Sequence, residues 1–181
     1  WRARQLDRQV GKDQQYYESI VDGVLDGRPI AERLSMRLAR RGLRVKTKPS
    51  GSVHVLYATR PSNWEIHNIP PELEKLGPLT RYFYSGRGFD DDAPNWPQIR
   101  GRMDADLLEF VRSAHAQRPL DILVSYLSGW QVAPETIRAI GQMGIVTCGF
   151  HWDDKPSFRG KFAGGRWSGP AAVASAYDLN L

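Results

Sequence analysis

One cysteine occurs in the 181 residues, and no stretch of 18 apolar residues occurs anywhere. Cys148 alone cannot close an internal disulfide, which suits a reducing compartment, and the cytoplasm is the expected location. No Cys/His spacing of the zinc-binding kind accompanies it, which argues against a zinc site. Without an 18-residue apolar run there is no candidate membrane-spanning helix. Trp1–Gln9 is arginine-rich and lacks an apolar centre, so it is not a secretory signal. Two nucleotide motifs are also missing. The first strand-like run leads into Ala58-Thr59-Arg60-Pro61-Ser62-Asn63-Trp64, which has none of the glycines of a G-x-G-x-x-G turn, and this argues against NAD or FAD. Gly160-Lys161 and Gly164-Gly165 do not have phosphate-loop spacing. No internal repeat or low-complexity tract is present.

What is present is a globular composition, 41% hydrophobic and 25% charged. The net charge of +5 is uneven: residues 1–48 hold 12 Lys/Arg against 6 Asp/Glu, and the remainder 13 against 14. The basic excess peaks at Arg40-Arg41-Gly42-Leu43-Arg44-Val45-Lys46-Thr47-Lys48. It reads either as a solvated helical face or as a peripheral contact with an anionic surface. Aromatic residues are not interleaved with these charges, so nucleic acid is not expected as a partner.

Apolar spacing at Tyr17, Ile20, Val21, Val24 and Leu25 predicts one helix, and Ile30, Leu34 and Leu38 predict a second. Pro29 opens the second helix and Gly42 ends it. Residues 1–50 therefore read as a basic helical hairpin, and Pro49-Ser50-Gly51-Ser52 as a short linker. From residue 51 strands and helices alternate. Strands are expected at Val53–Ala58, Leu79–Tyr84, Asp121–Leu127, Ile145–Phe150 and Tyr177–Leu181. Helices are expected at Glu72–Leu76, Ile99–Gln117, Pro134–Met143 and Pro170–Ala176, with Ser168 near the last N-cap. Ser85–Pro97 and His151–Gly169 read as loops. Such alternation demands crossovers, hence an α/β fold: a Rossmann-like, mainly parallel sheet with helices on both faces. Both chain ends read as cut, which makes the sequence part of a larger protein.

Ligands of such sheets bind at the carboxyl ends of the strands. Three clusters fall there. Arg60 and Asn63 follow the first strand. Asp90-Asp91-Asp92 follows the second, where adjacent acids suggest either a metal or a solvated loop. Gly149-Phe150-His151-Trp152-Asp153-Asp154 follows the fourth, and a histidine beside carboxylates can supply a general base while Trp152 offers a stacking face. Trp130 stands at the third strand end as a rim aromatic or a packing residue. Arg166 precedes a helix start that could hold an anion, or else lies in a plain glycine-rich connector. His54 and His115 read as structural.

In order, Val53–Ala58, Pro71–Gly77, Arg118-Pro119-Leu120-Asp121-Ile122-Leu123-Val124, Pro134–Arg138 through Gly144-Ile145-Val146-Thr147, His151-Trp152-Asp153-Asp154 and Ala176–Leu181 resemble the N-terminal domain of GT-B glycosyltransferases, in particular the group related to the spore-maturation CgeB proteins. The likeness covers roughly residues 53–181. It implies that residues 51–181 form the acceptor-side domain and that a C-terminal donor domain completes the enzyme. It further implies a nucleotide-sugar co-substrate, a glycosyl acceptor, no bound cofactor, and no turnover by this half alone. On that basis His151, Asp153 or Asp154 is expected to act as base or to orient the acceptor, with Arg60, Asn63, Trp130, Trp152 and Arg166 in substrate binding. The other reading open to the residues is a non-catalytic α/β module that binds a small sugar.

Overall fold

The computed structural model describes residues 12, 29–151 and 159–181, without the side chains of Asn63 and Trp64. The first helix of the expected hairpin, together with Trp152, Asp153 and Asp154, lies outside the described residues. In chain order the elements are helix α1 (Ile30–Arg40), strand β1 (Val55–Thr59), α2 (Asn63–His67), α3 (Ile69–Glu74), β2 (Leu79–Phe83), a 3-10 turn at Tyr84–Arg87, and α4 (Trp96–Gln117). Then follow β3 (Ile122–Ser125), α5 (Pro134–Gln142), β4 (Val146–Gly149), β5 (Phe162–Ala163), β6 (Arg166–Trp167), α6 (Ala171–Ala174) and β7 (Leu179–Asn180).

Five strands form one parallel sheet in the order β2-β1-β3-β4-β7, the Rossmann-like α/β arrangement. Val55 pairs with Leu79 on one side and Ile122 on the other. With neighbours on both edges, every residue of β1 is buried, which is why its sequence is a continuous apolar run rather than an alternation. The β1-to-β2 crossover runs against the direction of all later ones. Right-handed connections therefore place α2 and α3 on one face, and α4, α5 and α6 side by side on the other. The larger core lies under the latter group, where Leu56, Ala58, Tyr82, Met103, Leu107, Leu123, Ile137, Ile140 and Val173 meet. Full burial of each such aliphatic or aromatic side chain contributes about 1.5–3 kcal/mol.

Several boundaries differ from the sequence expectation, each for a local reason. Helix α4 starts at Trp96, ahead of Ile99, because Pro97 is well tolerated in a first helical turn and Trp96 is fully buried. Pro70 and Pro71 likewise open α3 instead of delaying it to Glu72. The expected loop at 151–169 contains a β-hairpin: β5 and β6 pair antiparallel across Gly164 and Gly165, whose φ values of 53° and 81° suit a two-residue turn of type I′. Ser168 does not cap α6; its hydroxyl accepts the Lys161 N–H at 2.8 Å.

The second helix of the expected hairpin ends as foreseen. Gly42 takes φ 72°, its N–H bonds to Ala39 O, and the Leu43 N–H bonds to Leu38 O. Two arginines dock this helix on the amino-terminal end of β7. Arg41 pairs with Asp178 at 2.8 Å, and Arg37 Nη1 donates to Tyr177 O at 2.5 Å. Asp178 also accepts the Thr147 N–H, so one buried carboxylate joins α1, β4 and β7.

Candidate functional site

In the order β2-β1-β3-β4-β7 the chain reverses direction between β1 and β3. The loops leaving those two strands diverge there and open a crevice at their carboxyl ends. A hollow of about 200 Å³ occupies that place. Arg60, Ser62 and Glu65 reach it from β1 and α2, Tyr84 and Asp91 from beyond β2, Tyr126, Ser128 and Gln131 from beyond β3, and His151 from beyond β4.

Its polar groups are braced against one another. Arg60 Nη1 donates to Asp91 Oδ1 at 2.9 Å and to Asp92 Oδ2 at 2.7 Å, and Asp90 lies 3.9 Å from the guanidinium. The hydrogen bond to Asp92 raises the Arg60 pKa above its ordinary value. Asp91 is 6% exposed, and its second oxygen accepts from Gln131 Nε2 at 2.8 Å. Gln131 Oε1 in turn accepts from the Ser128 hydroxyl at 2.8 Å. The aspartate run is thus a partly buried counter-charge for Arg60 rather than a wholly solvated loop. Among the described residues no group of three or more His, Cys, Asp or Glu is placed to hold a metal. Burial raises the Tyr84 phenol pKa, with the Asp91 charge adding to it, so this hydroxyl stays protonated.

The remaining wall is aromatic. Tyr126 stacks on Phe150 at 5.4 Å, and the His151 ring tilts against Tyr126 at 5.7 Å. The backbone N–H of His151 bonds to Leu181 O, which ties the end of β4 to the end of β7. Glu65 stands apart from the network: its Oε2 is buried and accepts no hydrogen bond.

Of the residues singled out from sequence, Arg60 and His151 meet at this hollow. Asn63 opens α2 close by in the chain. Trp130 and Arg166 stand behind the hollow. The Trp130 indole N–H donates to Asp91 O at 2.9 Å, and its ring lies under the Arg100 guanidinium at 5.8 Å. Arg166, on β6, pairs with Asp104 at 2.6 Å and donates to Gln131 O at 2.9 Å. Both therefore brace the turn that carries Ser128 and Gln131. His54 and His115 make structural contacts: His54 bonds Thr80 Oγ1 and Pro119 O, and His115 accepts the Leu120 N–H.

Sequence reasoning passed over Glu65, Tyr84, Tyr126, Ser128 and Gln131. Ser128 and Gln131 had a usable signal, since they follow β3 at the edge where ligands bind. Glu65 had none, because it faces the hollow only once α2 is folded.

No protein-family model, no curated protein and no solved structure matches this chain.

Proposed function

We propose that the hollow between the ends of β1 and β3 receives a hydroxyl-bearing acceptor, and that this chain is the acceptor-side half of a glycosyltransferase. The supporting observation is the convergence of Arg60, Asp91, Ser128, Gln131 and His151 from separate strand ends on one polar, aromatic-walled space. Its volume of about 200 Å³ is below the roughly 300–1,000 Å³ of sites for drug-sized ligands, which favours one sugar ring over a dinucleotide. Hydroxyl groups need both donors and acceptors; Arg60 and Gln131 supply N–H donors, and the Ser128 hydroxyl and the Glu65 carboxylate supply oxygen acceptors. Tyr126 presents the aromatic surface on which an apolar sugar face can rest.

In this reading His151 takes the proton of the attacking hydroxyl or orients it. Asp153 and Asp154, which follow in the chain, are the other candidates for that role. The donor is a nucleotide-sugar held by a second domain, whose leaving diphosphate is stabilised there. No metal or cofactor is assigned to this half.

The test is nucleoside diphosphate release by the longest native chain, supplied with UDP-, GDP-, ADP- and dTDP-sugars and acceptor extract. One donor should be turned over, and the 181-residue chain alone should turn over none. His151→Ala should then lower the rate by about 10²–10⁴-fold, the usual contribution of a general base. Unchanged transfer in the triple His151, Asp153 and Asp154 alanine variant would remove the catalytic assignment.

One observation favours a second reading, a non-catalytic sugar-binding module. The Arg60–Asp91–Gln131–Ser128 network is already closed within this chain. Such a preformed site can bind sugar without any second domain.

A further inference from the structure

We infer that the ligand of the switch-point hollow carries a protonated amino group beside its hydroxyls, and that Glu65 is the residue that selects it. This rests on the reading of the hollow as a sugar site and adds the charge of the sugar.

Among the described residues, three side chains of the acidic and strongly basic kind line the hollow: Arg60, Asp91 and Glu65. Arg60 and Asp91 are paired at 2.9 Å, and Arg60 is further engaged by Asp92 at 2.7 Å, so their charges largely cancel. Both Asp91 oxygens are occupied, one by Arg60 and one by Gln131. Glu65 is left as the surplus charge, and its buried Oε2 has no donor. Glu65 lines the hollow and has no ion pair among the described residues, so a cationic group placed there meets a carboxylate that nothing else neutralises.

A neutral hydroxyl suits that carboxylate in part. An ammonium suits it better, because it supplies both the donor and the opposing charge. Phosphorylated or carboxylated sugars face the opposite balance, since Arg60, the one lining guanidinium or ammonium among the described residues, is already shared between two aspartates. The hollow is thereby biased toward amino sugars and aminocyclitols, and against sugar phosphates and uronates. Glu65 also sits in the chain only five residues after Arg60, with Pro61 and the start of α2 between them. One short segment thus carries both the paired and the unpaired charge of the site.

The experiment is an equilibrium titration of the whole 181-residue chain with glucosamine, glucose and glucose 6-phosphate at near-neutral pH, repeated on Glu65→Gln. Glucosamine is expected to bind at least about ten-fold tighter than glucose, the scale of one charge-assisted hydrogen bond. Glucose 6-phosphate is expected to bind most weakly. Glu65→Gln should abolish the preference, so that glucosamine binds no tighter than glucose to the variant. Equal or weaker binding of glucosamine overturns the inference and leaves the sugar-site reading standing. A glucosamine preference that survives in Glu65→Gln overturns the assignment to Glu65. Failure of all three sugars to bind overturns the sugar-site reading, and the inference with it.

Discussion

Cys148 is 4% exposed, and burial, reinforced by the Asp178 charge, pushes its thiol up to about 11. The thiolate that reacts with disulfide reagents is therefore scarce near pH 8. Modification of Cys148 by such a reagent is expected to follow unfolding in urea; rapid labelling of the native chain would contradict this placement. Two aspartates set the response to acid. The Arg87 guanidinium, bonded to Asp106 at 2.5 and 2.7 Å, holds that carboxyl below the usual range. Burial opposes the same shift at Asp121, but the Lys48 ammonium and the His54 N–H outweigh it, and its pKa is also lowered. Both folded pKa values lie below the unfolded ones, so in acid the unfolded chain binds more protons. The stability these groups contribute is full above the ordinary carboxylate range and is lost as pH falls through the depressed folded values. Thermal midpoints should drop below about pH 4, and Asp106→Asn should flatten that slope. Arg100, 2% exposed, has its pKa lowered to about 10 by burial and by nearby Arg166, and so remains charged at neutral pH. It donates to the carbonyls of Ala163 and Gly164. Arg100→Met keeps the apolar stem and orphans those carbonyls, at an expected cost of about 1.5–3 kcal/mol in urea unfolding.

At the scale of elements, the hairpin β5–β6 is the part on which the geometry of the hollow depends. Its Arg166 donates to Gln131 O, and the two residues that follow it accept the Trp130 N–H at Ser168 O and the Gly129 N–H at Gly169 O. A Cβ on Gly129 would lie 2.2 Å from Trp167 O and 2.7 Å from Ala172 Cβ. Gly129→Ala should cost about 1–3 kcal/mol by overpacking and should weaken ligand binding by displacing Ser128 and Gln131. Gly86→Ala, with nothing within 4 Å of the added carbon, should do neither. The β/α alternation was legible because buried parallel strands such as Val55–Thr59 read as unbroken apolar runs and α4 carries a clear stripe at Met103, Leu107 and Val111. The hairpin was not legible in that way. Its arms, Phe162-Ala163 and Arg166-Trp167, are too short to show alternation, and only Gly164-Gly165 hinted at the turn. The site divides along the same line. Arg60 and His151 could be found from their place at strand ends. Asp91 was found as part of an acidic run but not as the partner of Arg60, which it meets across 31 positions of chain, and Glu65 was not found because it depends on how α2 packs.

Over the whole molecule, the two charged features lie at opposite edges of the sheet. Arg60, Asp91 and Glu65 stand at the carboxyl ends of the strands. Arg37 and Arg41 dock at the amino-terminal end of β7, and Lys48 bonds Asp121, which immediately precedes β3. If the basic segment does meet an anionic surface, that contact is remote from the hollow. Substituting glutamine for the exposed Arg44 and Lys46 should reduce retention on an anionic matrix and leave sugar binding unchanged. Sugar binding in the hollow between the ends of β1 and β3 can be followed through the backbone amide resonances of the chain during titration with monosaccharides. Saturable shifts are expected to gather at Arg60, Glu65, Asp91, Ser128, Gln131 and His151, with the amino-terminal edge around Lys48 and Asp121 silent. Shifts confined to that opposite edge, or none with any sugar, would contradict sugar binding in the hollow.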